Sequence, residues 1–488
     1  MGYRSWQWIG LALAAWLALG SPCRAEEKKE APAKEKFVLS GPVTATLAEV
    51  PACGKSDGKE ASGFRYPRGQ FIICSDRPSR EVKAYPKLKS KRALYGSVIF
   101  SPSGPDSRSG TKYCFVLDES GEEQPAADEK VSEPGRSRPP RLKHDRLYFD
   151  LNGDLDLTND APLKLATKPP FEGIHLPDAR LFADLVVKFD FGSPLGKRGF
   201  AMVPLLRSLG PEYAILELVP KTARQGTIRI AGQEYSVFLA QSQVISGRFD
   251  HSLVSAEFSP RTDTSARLAS SLSGPLGAIR VIDDQVVKLS ASPLGDRLTI
   301  EPYQGECGLL KVGSGGRAIT GLGIAGVLRS KSGEVRAGDG RFQEADLPRQ
   351  IKLPVDDYLP MNLVIQHGRL RFACRMHFEP LGDDGRSPRE LPYSIKIRKD
   401  EPFVLTFSGK PAVSFSSPRK GQTFKPGQSV MVRALLTEPT QGIAITGLWD
   451  VSTKVADKEG RDLTRLDPSI VIRNAKGEEV ARGKMPFG

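Results

Sequence analysis

The chain has 488 residues, 39% of them apolar and 26% charged, with 48 Gly, 38 Pro and a formal charge of +13. That balance belongs to a turn-rich globular protein and excludes a disordered one. The basic excess is concentrated in YPKLKSKR (Tyr85 to Arg92) and RSRPPRLKHDR (Arg136 to Arg146), and no aromatic platform alternates with it as single-strand binding requires. Nucleic acid is therefore not an expected partner. The second run is Pro-rich and follows the acidic ESGEEQPAADEK, which makes it a solvated loop.

In chain order, residues 1–25 come first. Arg4, the apolar run Ile9 to Gly20 and the small residue Ala25 stand in the order of a secretory signal peptide. The run has 12 residues, short of the roughly 20 that a spanning helix needs. Pro22 before Cys23 speaks against a lipoprotein anchor, and no later segment is apolar enough to span after signal cleavage. The expected location is extracytoplasmic: periplasm, cell surface or secreted. Cleavage after Ala25 removes Arg4 and Arg24, taking the charge from +13 to +11, and leaves 463 residues. At roughly 100–200 residues each, that is three or four domains.

Five cysteines remain, Cys53, Cys74, Cys114, Cys307 and Cys374, none in a C-x-x-C pair, so a structural zinc site has no support. An oxidising compartment permits disulfides, and the odd number leaves one thiol over. The short separation makes Cys53–Cys74 the first pairing to expect; buried reduced thiols are the equal alternative.

Residues 26–36 (EEKKEAPAKEK) are charged and nearly devoid of apolar side chains, a flexible leader. From Phe37 the texture changes to short Val-, Ile-, Phe- and Tyr-rich runs punctuated by Gly, Pro, Asp and Ser. These are strands with turns. Residues 37–170 form a first β domain interrupted by a long polar insertion from Glu119 to Arg146. Residues 171–262 form a second, with period-two alternation in ADLVVKFDFG and GTIRIAGQEYSVFLA. In it, AGQE supplies a hairpin turn and LPDARLFADL is the best short helix. Ser259 to Pro275 is a linker.

Residues 276–398 form a third β domain with a hairpin at HGRL, and residues 402–488 carry four strand candidates at regular spacing, as in a small antiparallel sandwich. The expected class is mainly β, with several antiparallel sheets or sandwiches and a C-terminal Ig-like β-sandwich.

Little in the chain resembles catalytic chemistry. GLGIAG (Gly321 to Gly326) has the glycine spacing of a dinucleotide fingerprint but is followed by VLRSKSGEV, a strand and turn where a helix is required. SPRK (Ser417 to Lys420) is a lone S-x-x-K without supporting motifs. The five histidines are scattered, as surface or turn residues are. Two opposed carboxylates brought together by the fold remain open as acid and base.

The exception is LYFDLNGDLDLTND, Leu147 to Asp160, where polar residues occupy every even position from Tyr148 to Asp160. As one strand, its face would carry four carboxylates and repel itself. A chain that curls at Asn152-Gly153 instead gathers those oxygens, as hard-cation loops do. Asp150, Asn152, Asp154 and Asp156 are the candidate ligands, helped by Asp160 and a carbonyl near Thr158. Oxygen-only donors favour Ca2+ over zinc or copper. The alternative is a turn in which each side chain accepts from an N–H two residues on.

D-x-N-G-D-x-D resembles the calcium loops of dockerin and EF-hand type over about a dozen residues. It departs at Leu155, where the tight-turn Gly is expected, and at Ala161, where a bidentate acid belongs. No flanking helix is readable. With GTIRIAGQEYSVFLA, SGRFD, SPLGDRLTIEPY and LDPSIVIRNAKGEEVARGKMPFG, the chain also resembles large secreted β-rich proteins of planctomycete-type bacteria, a likeness that brings no activity with it. PAVSFSSPRKGQTFKPGQSVMVRALL resembles bacterial Ig-like modules, which implies adhesion or spacing. The leading expectation is an exported, non-catalytic binding or structural protein of the cell envelope, with polysaccharide or protein as partner. A secreted hydrolase acting on polysaccharide or peptide is the alternative.

Overall fold

The computed structural model describes residues 37–55, 64–65, 69–100, 110–121, 142–168, 179–208, 213–261, 266–313, 321–338, 347–376, 395–406, 412–417, 423, 425, 428–429, 431–438, 443–452, 465–473 and 476–484. The expected signal peptide and leader, most of the polar insertion, His175, His377 and Lys420 lie outside the described residues. The chain is mainly β, in several largely antiparallel sheets that include the parallel pair Cys307–Gly313 and Phe403–Thr406, with one helix among the described residues. No helix among the described residues is long and apolar enough to cross a membrane. The chain divides into two compact units, one of residues 39–282 and 286–304, the other centred on 305–488.

In the first unit two sheets face each other. One runs Leu94–Phe100, Thr111–Asp118, Arg146–Phe149, Leu163–Lys164; the other runs Leu185–Asp190, Lys197–Ser208, Ala214–Pro220, Gln70–Ile73. Alternation decides which side chains meet. Val98, Phe100, Phe115, Leu117, Leu147 and Phe149 of the first sheet pack on Leu185, Val187, Phe189, Met202, Leu206, Leu216 and Leu218 of the second, as one core. Each large apolar side chain so buried contributes about 2 kcal/mol. Gln70–Ile73 pairs with Ala214–Pro220, so hydrogen bonding runs across the boundary that composition suggested between residues 170 and 171.

A further antiparallel sheet of this unit is built around Val43–Pro51, which pairs with Thr222–Ile230 on one side and Arg297–Pro302 on the other. The expected hairpin at AGQE is present: Thr222–Ile230 pairs with Gln233–Gln241. Ala231 and Gly232, both at positive φ (47° and 76°), make the two-residue turn. Such a turn matches strand twist.

Two expectations are corrected here. LPDARLFADL is not a helix where it is described: Ala179–Leu181 is a strand paired with Lys197–Ser208. A ten-residue segment has too little intrinsic helicity to resist a sheet edge. The supposed linker carries the helix, Ala266–Leu272, whose Leu268, Ala269 and Leu272 are buried. Burial of that face outweighs a Ser/Thr-rich composition.

The second unit holds a sheet that includes Leu322–Arg329, Asp356–His367, Leu370–Met376 and Ile443–Asp450, and continues through Arg433–Glu438 to Ala412–Ser417. The GLGIAG segment lies in its strand Leu322–Arg329. The HGRL hairpin is present, His367 pairing with Leu370. Leu370–Met376 pairs with Ile443–Asp450, so the sheet holding three of the C-terminal strands extends beyond residues 402–488. Ser469–Arg473 and Glu479–Lys484 form a separate hairpin.

All five described cysteines are unbonded. The Cys53–Cys74 expectation is therefore corrected: Cys53 is buried against Val203 and Val219, while Cys74 packs on the core between the facing sheets.

Candidate metal centre

The acidic stretch follows directly on Arg146–Phe149, an inner strand of the first sheet. Arg146–Phe149 pairs with Thr111–Asp118, and Asp150 N–H closes the ladder on Cys114 O at 2.9 Å. Strand geometry stops there. Gly153 at φ 72° and Leu155 at φ 63° turn the chain back on itself, and three side chains stitch the turn. Asp154 N–H donates to Asn152 Oδ1 at 3.0 Å, Asp156 N–H to Asp154 Oδ1 at 2.8 Å, and Thr158 N–H to Asp156 Oδ1 at 2.9 Å. This is the i to i+2 pattern of Asx turns. Thr158 Oγ1 also donates to Asp156 Oδ1 at 2.6 Å.

Asp150 sits at the base. It is fully buried, its Oδ2 accepts from Leu155 N–H at 3.2 Å, and its Oδ1 has no hydrogen-bond partner. Asp160 closes the other end, its Oδ1 accepting from Leu151 N–H at 3.3 Å, with a buried Oδ2 that has no partner either. A buried polar atom left unpaired costs about 1–3 kcal/mol, more when charged. Two such carboxylate oxygens in one loop are the strongest chemical feature of the described residues.

The electrostatics follow from this arrangement. Burial pushes the Asp150 carboxyl above its ordinary range, opposed by the N–H groups of Leu155 and Gly153, and the charge of Asp154 adds to the rise. Burial also raises Asp160, opposed by the Leu151 N–H, and the charges of Asp150, Asp154 and Asp156 add to the rise. Asp154 is held below the ordinary range, first by the Asp156 N–H, then by the Asn159 amide. The charge of Asp154 thus acts on Asp150, and those of Asp150, Asp154 and Asp156 act together on Asp160. A hard cation would relieve the repulsion and satisfy the unpaired oxygens together.

The structure places all six expected positions, Asp150, Asn152, Asp154, Asp156, Thr158 and Asp160, on this one loop. Among the described residues it does not gather three His, Cys, Asp or Glu side chains into a preformed ligand group. Oδ1 of Asp154 and Oδ1 of Asp156 are each turned onto a backbone N–H instead, and Asp154 Oδ2 onto the Asn152 and Asn159 amides.

Two contributors escaped sequence reasoning. Asn159 Nδ2 donates to Asp154 Oδ2 at 2.8 Å, and an Asn inside the stretch was a signal that could have been used. Lys83 Nζ donates to Asp154 O at 2.7 Å from 71 positions away, with no local signal at all.

Elsewhere the chemistry is sparse. His144 is buried at 4% exposure, which corrects its expected place at the surface; its Nε2–H donates to Arg92 O at 2.8 Å. A concavity lined by Asp76, Lys91, Arg92 and Tyr95, among others, contains one carboxylate. Among the described residues, the carboxyls pushed upward, Asp150 and Asp160, both belong to the loop. Comparison with family models, curated proteins and solved structures finds no match to this chain.

Proposed function

We propose that this is an exported, non-catalytic binding or structural protein of the cell envelope, stabilised by one calcium ion in the Asp150–Asp160 loop. The signal-peptide order of Arg4, Ile9 to Gly20 and Ala25 supports export. The observation that carries the ion is the pair of buried carboxylate oxygens without partners, Asp150 Oδ1 and Asp160 Oδ2. Asp150, Asp154, Asp156 and Asp160 would supply carboxylates, Asn152 its amide oxygen, and Thr158 an oxygen at the far turn. Calcium tolerates such irregular oxygen shells, whereas magnesium demands a near-ideal octahedron. Envelope polysaccharide or protein is the proposed partner class, and the C-terminal strands, by their likeness to Ig-like modules, the spacer.

Ala161 in place of a bidentate acid puts the affinity at roughly 10⁻⁴ to 10⁻³ M, as in extracellular modules. Calcium at about a hundred times the dissociation constant then adds about 2.7 kcal/mol. The test is thermal unfolding of the mature protein across a calcium chloride series. The melting temperature should rise with calcium, Asp154→Ala should abolish the rise, and magnesium should do little. No shift at about ten millimolar calcium would leave the loop as a turn and nothing more.

A further inference from the structure

This inference rests on the calcium reading of the loop and concerns what the ion controls. The outer face of the Leu94–Lys164 sheet is covered by the segment from Ser79 to Ser90. Val82, Tyr85 and Leu88 pack there on Ala93, Val116, Tyr148 and Leu157. Tyr85 meets Tyr95 edge-on, with ring centroids 5.3 Å apart and planes at 86°. Tyr85 Oη also accepts from Ser79 N–H at 2.9 Å.

The strap is joined to the acidic loop through the peptide groups between the candidate ligands. Lys83 N–H donates to Leu155 O at 2.8 Å, and Leu157 N–H donates to Ala84 O at 3.0 Å. Lys83 Nζ donates to Asp154 O at 2.7 Å. An ion taking Asp150, Asp154 and Asp156 would fix the orientation of those peptides. The fully buried Asp150, with Oδ1 unpaired and Oδ2 on Leu155 N–H, directs its carboxylate into that same turn.

The far end of the strap is anchored without the loop. Asp118, itself fully buried, accepts from Ser90 N–H at 2.8 Å and Lys89 N–H at 3.1 Å.

We infer that calcium in the Asp150–Asp160 loop and docking of the Val82–Tyr85 strap are thermodynamically linked, so that the ion acts as the clasp of the strap. Linkage is reciprocal: the factor by which the ion favours docking is the factor by which docking tightens the ion. Loss of the ion loosens the strap at its loop end and leaves the Asp118 end in place.

The test is amide hydrogen exchange on the full mature protein, with and without saturating calcium chloride, beside the melting series above. Calcium should slow exchange at Lys83 and Leu157 by about tenfold, within the usual range of coupling, and leave Ser90 unchanged. Tyr85→Ala, which touches no candidate ligand, should weaken calcium binding by about the same factor. A calcium-dependent rise in melting temperature with no change at Lys83, or with equal slowing at Ser90, would overturn the linkage and leave the calcium site standing. An unchanged calcium affinity in Tyr85→Ala would also overturn it. No effect of calcium on melting or exchange would remove the site and the linkage together.

Discussion

Leu155 donates its N–H to Asp150 Oδ2 at 3.2 Å while holding a left-handed backbone, φ 63°. An L-residue in that region sacrifices on the order of 1–2 kcal/mol, which Gly does not. The conformation is the one a tight calcium-type turn needs at this position, and the Asp150 carboxylate holds it. Leu155→Gly is therefore expected to leave stability unchanged or raise it by about 0.5 kcal/mol, once the unfolded-state entropy of Gly is subtracted. Leu155→Val, β-branched and intolerant of positive φ, should cost more than about 1 kcal/mol. Urea unfolding of the three proteins checks the order; Val above Gly would contradict a left-handed Leu155.

Asp118 gives a second test, on the strap's other anchor. Its buried carboxylate satisfies the N–H groups of Lys89 and Ser90. Asp118→Ala strands those donors and should destabilise by about 2 kcal/mol. Asp118→Asn keeps an acceptor oxygen and should cost less than half of that. Equal losses for both variants would mean that the charge matters and the acceptor does not.

The C-terminal strands raise the question of what folds alone. Ile443–Asp450 pairs with Leu370–Met376, and Ile443, Ala444 and Ile445 are buried. Residues 402–488 in isolation would turn that strand into an exposed apolar edge, a liability in solution. A protein of residues 305–488, which keeps the partner strands, should show one cooperative melting transition with strand-type circular dichroism. Residues 402–488 alone should aggregate or melt without cooperativity. A sharp transition in the shorter protein would restore an independent sandwich.

How far this architecture could be read from the chain depended on the range of the interactions. The curl of the acidic loop was legible because four carboxylates on one strand face cannot coexist, a conflict confined to a dozen residues. The AGQE and HGRL hairpins were legible for the same reason: turn and strands are contiguous. LPDARLFADL misled because its fate was set by Lys197–Ser208, a partner that local periodicity does not reveal. Lys83 was invisible because 71 residues separate it from Asp154. His144 looked like part of a solvated basic run; the Arg92 carbonyl that receives its Nε2–H lies 52 positions earlier. The unpaired oxygens of Asp150 and Asp160 are a property of burial, which composition does not give.

The last prediction concerns the cysteines. Burial, with the negative Glu217 nearby, pushes the Cys53 thiol up to about 12, and burial does the same to Cys74. In the unfolded chain both would ionise near 8.5. The folded state thus holds protons that the unfolded state releases above that pH. Stability is fully present below about pH 8.5 and falls as the pH rises toward 12, at about 1.4 kcal/mol per pH unit for a thiol as buried as Cys53. Urea unfolding at pH 8, 9 and 10 should show that alkaline slope. Cys53→Ala should lower stability at pH 8 through the small cavity it leaves, yet flatten the slope by about 1.4 kcal/mol per unit. The two effects have different pH signatures, so they separate in one data set. The same burial should make Cys53 slow toward iodoacetamide at pH 8, because the thiolate is the nucleophile. Rapid modification of the folded protein at Cys53, or parallel pH slopes for variant and parent, would contradict a buried, protonated thiol at this position.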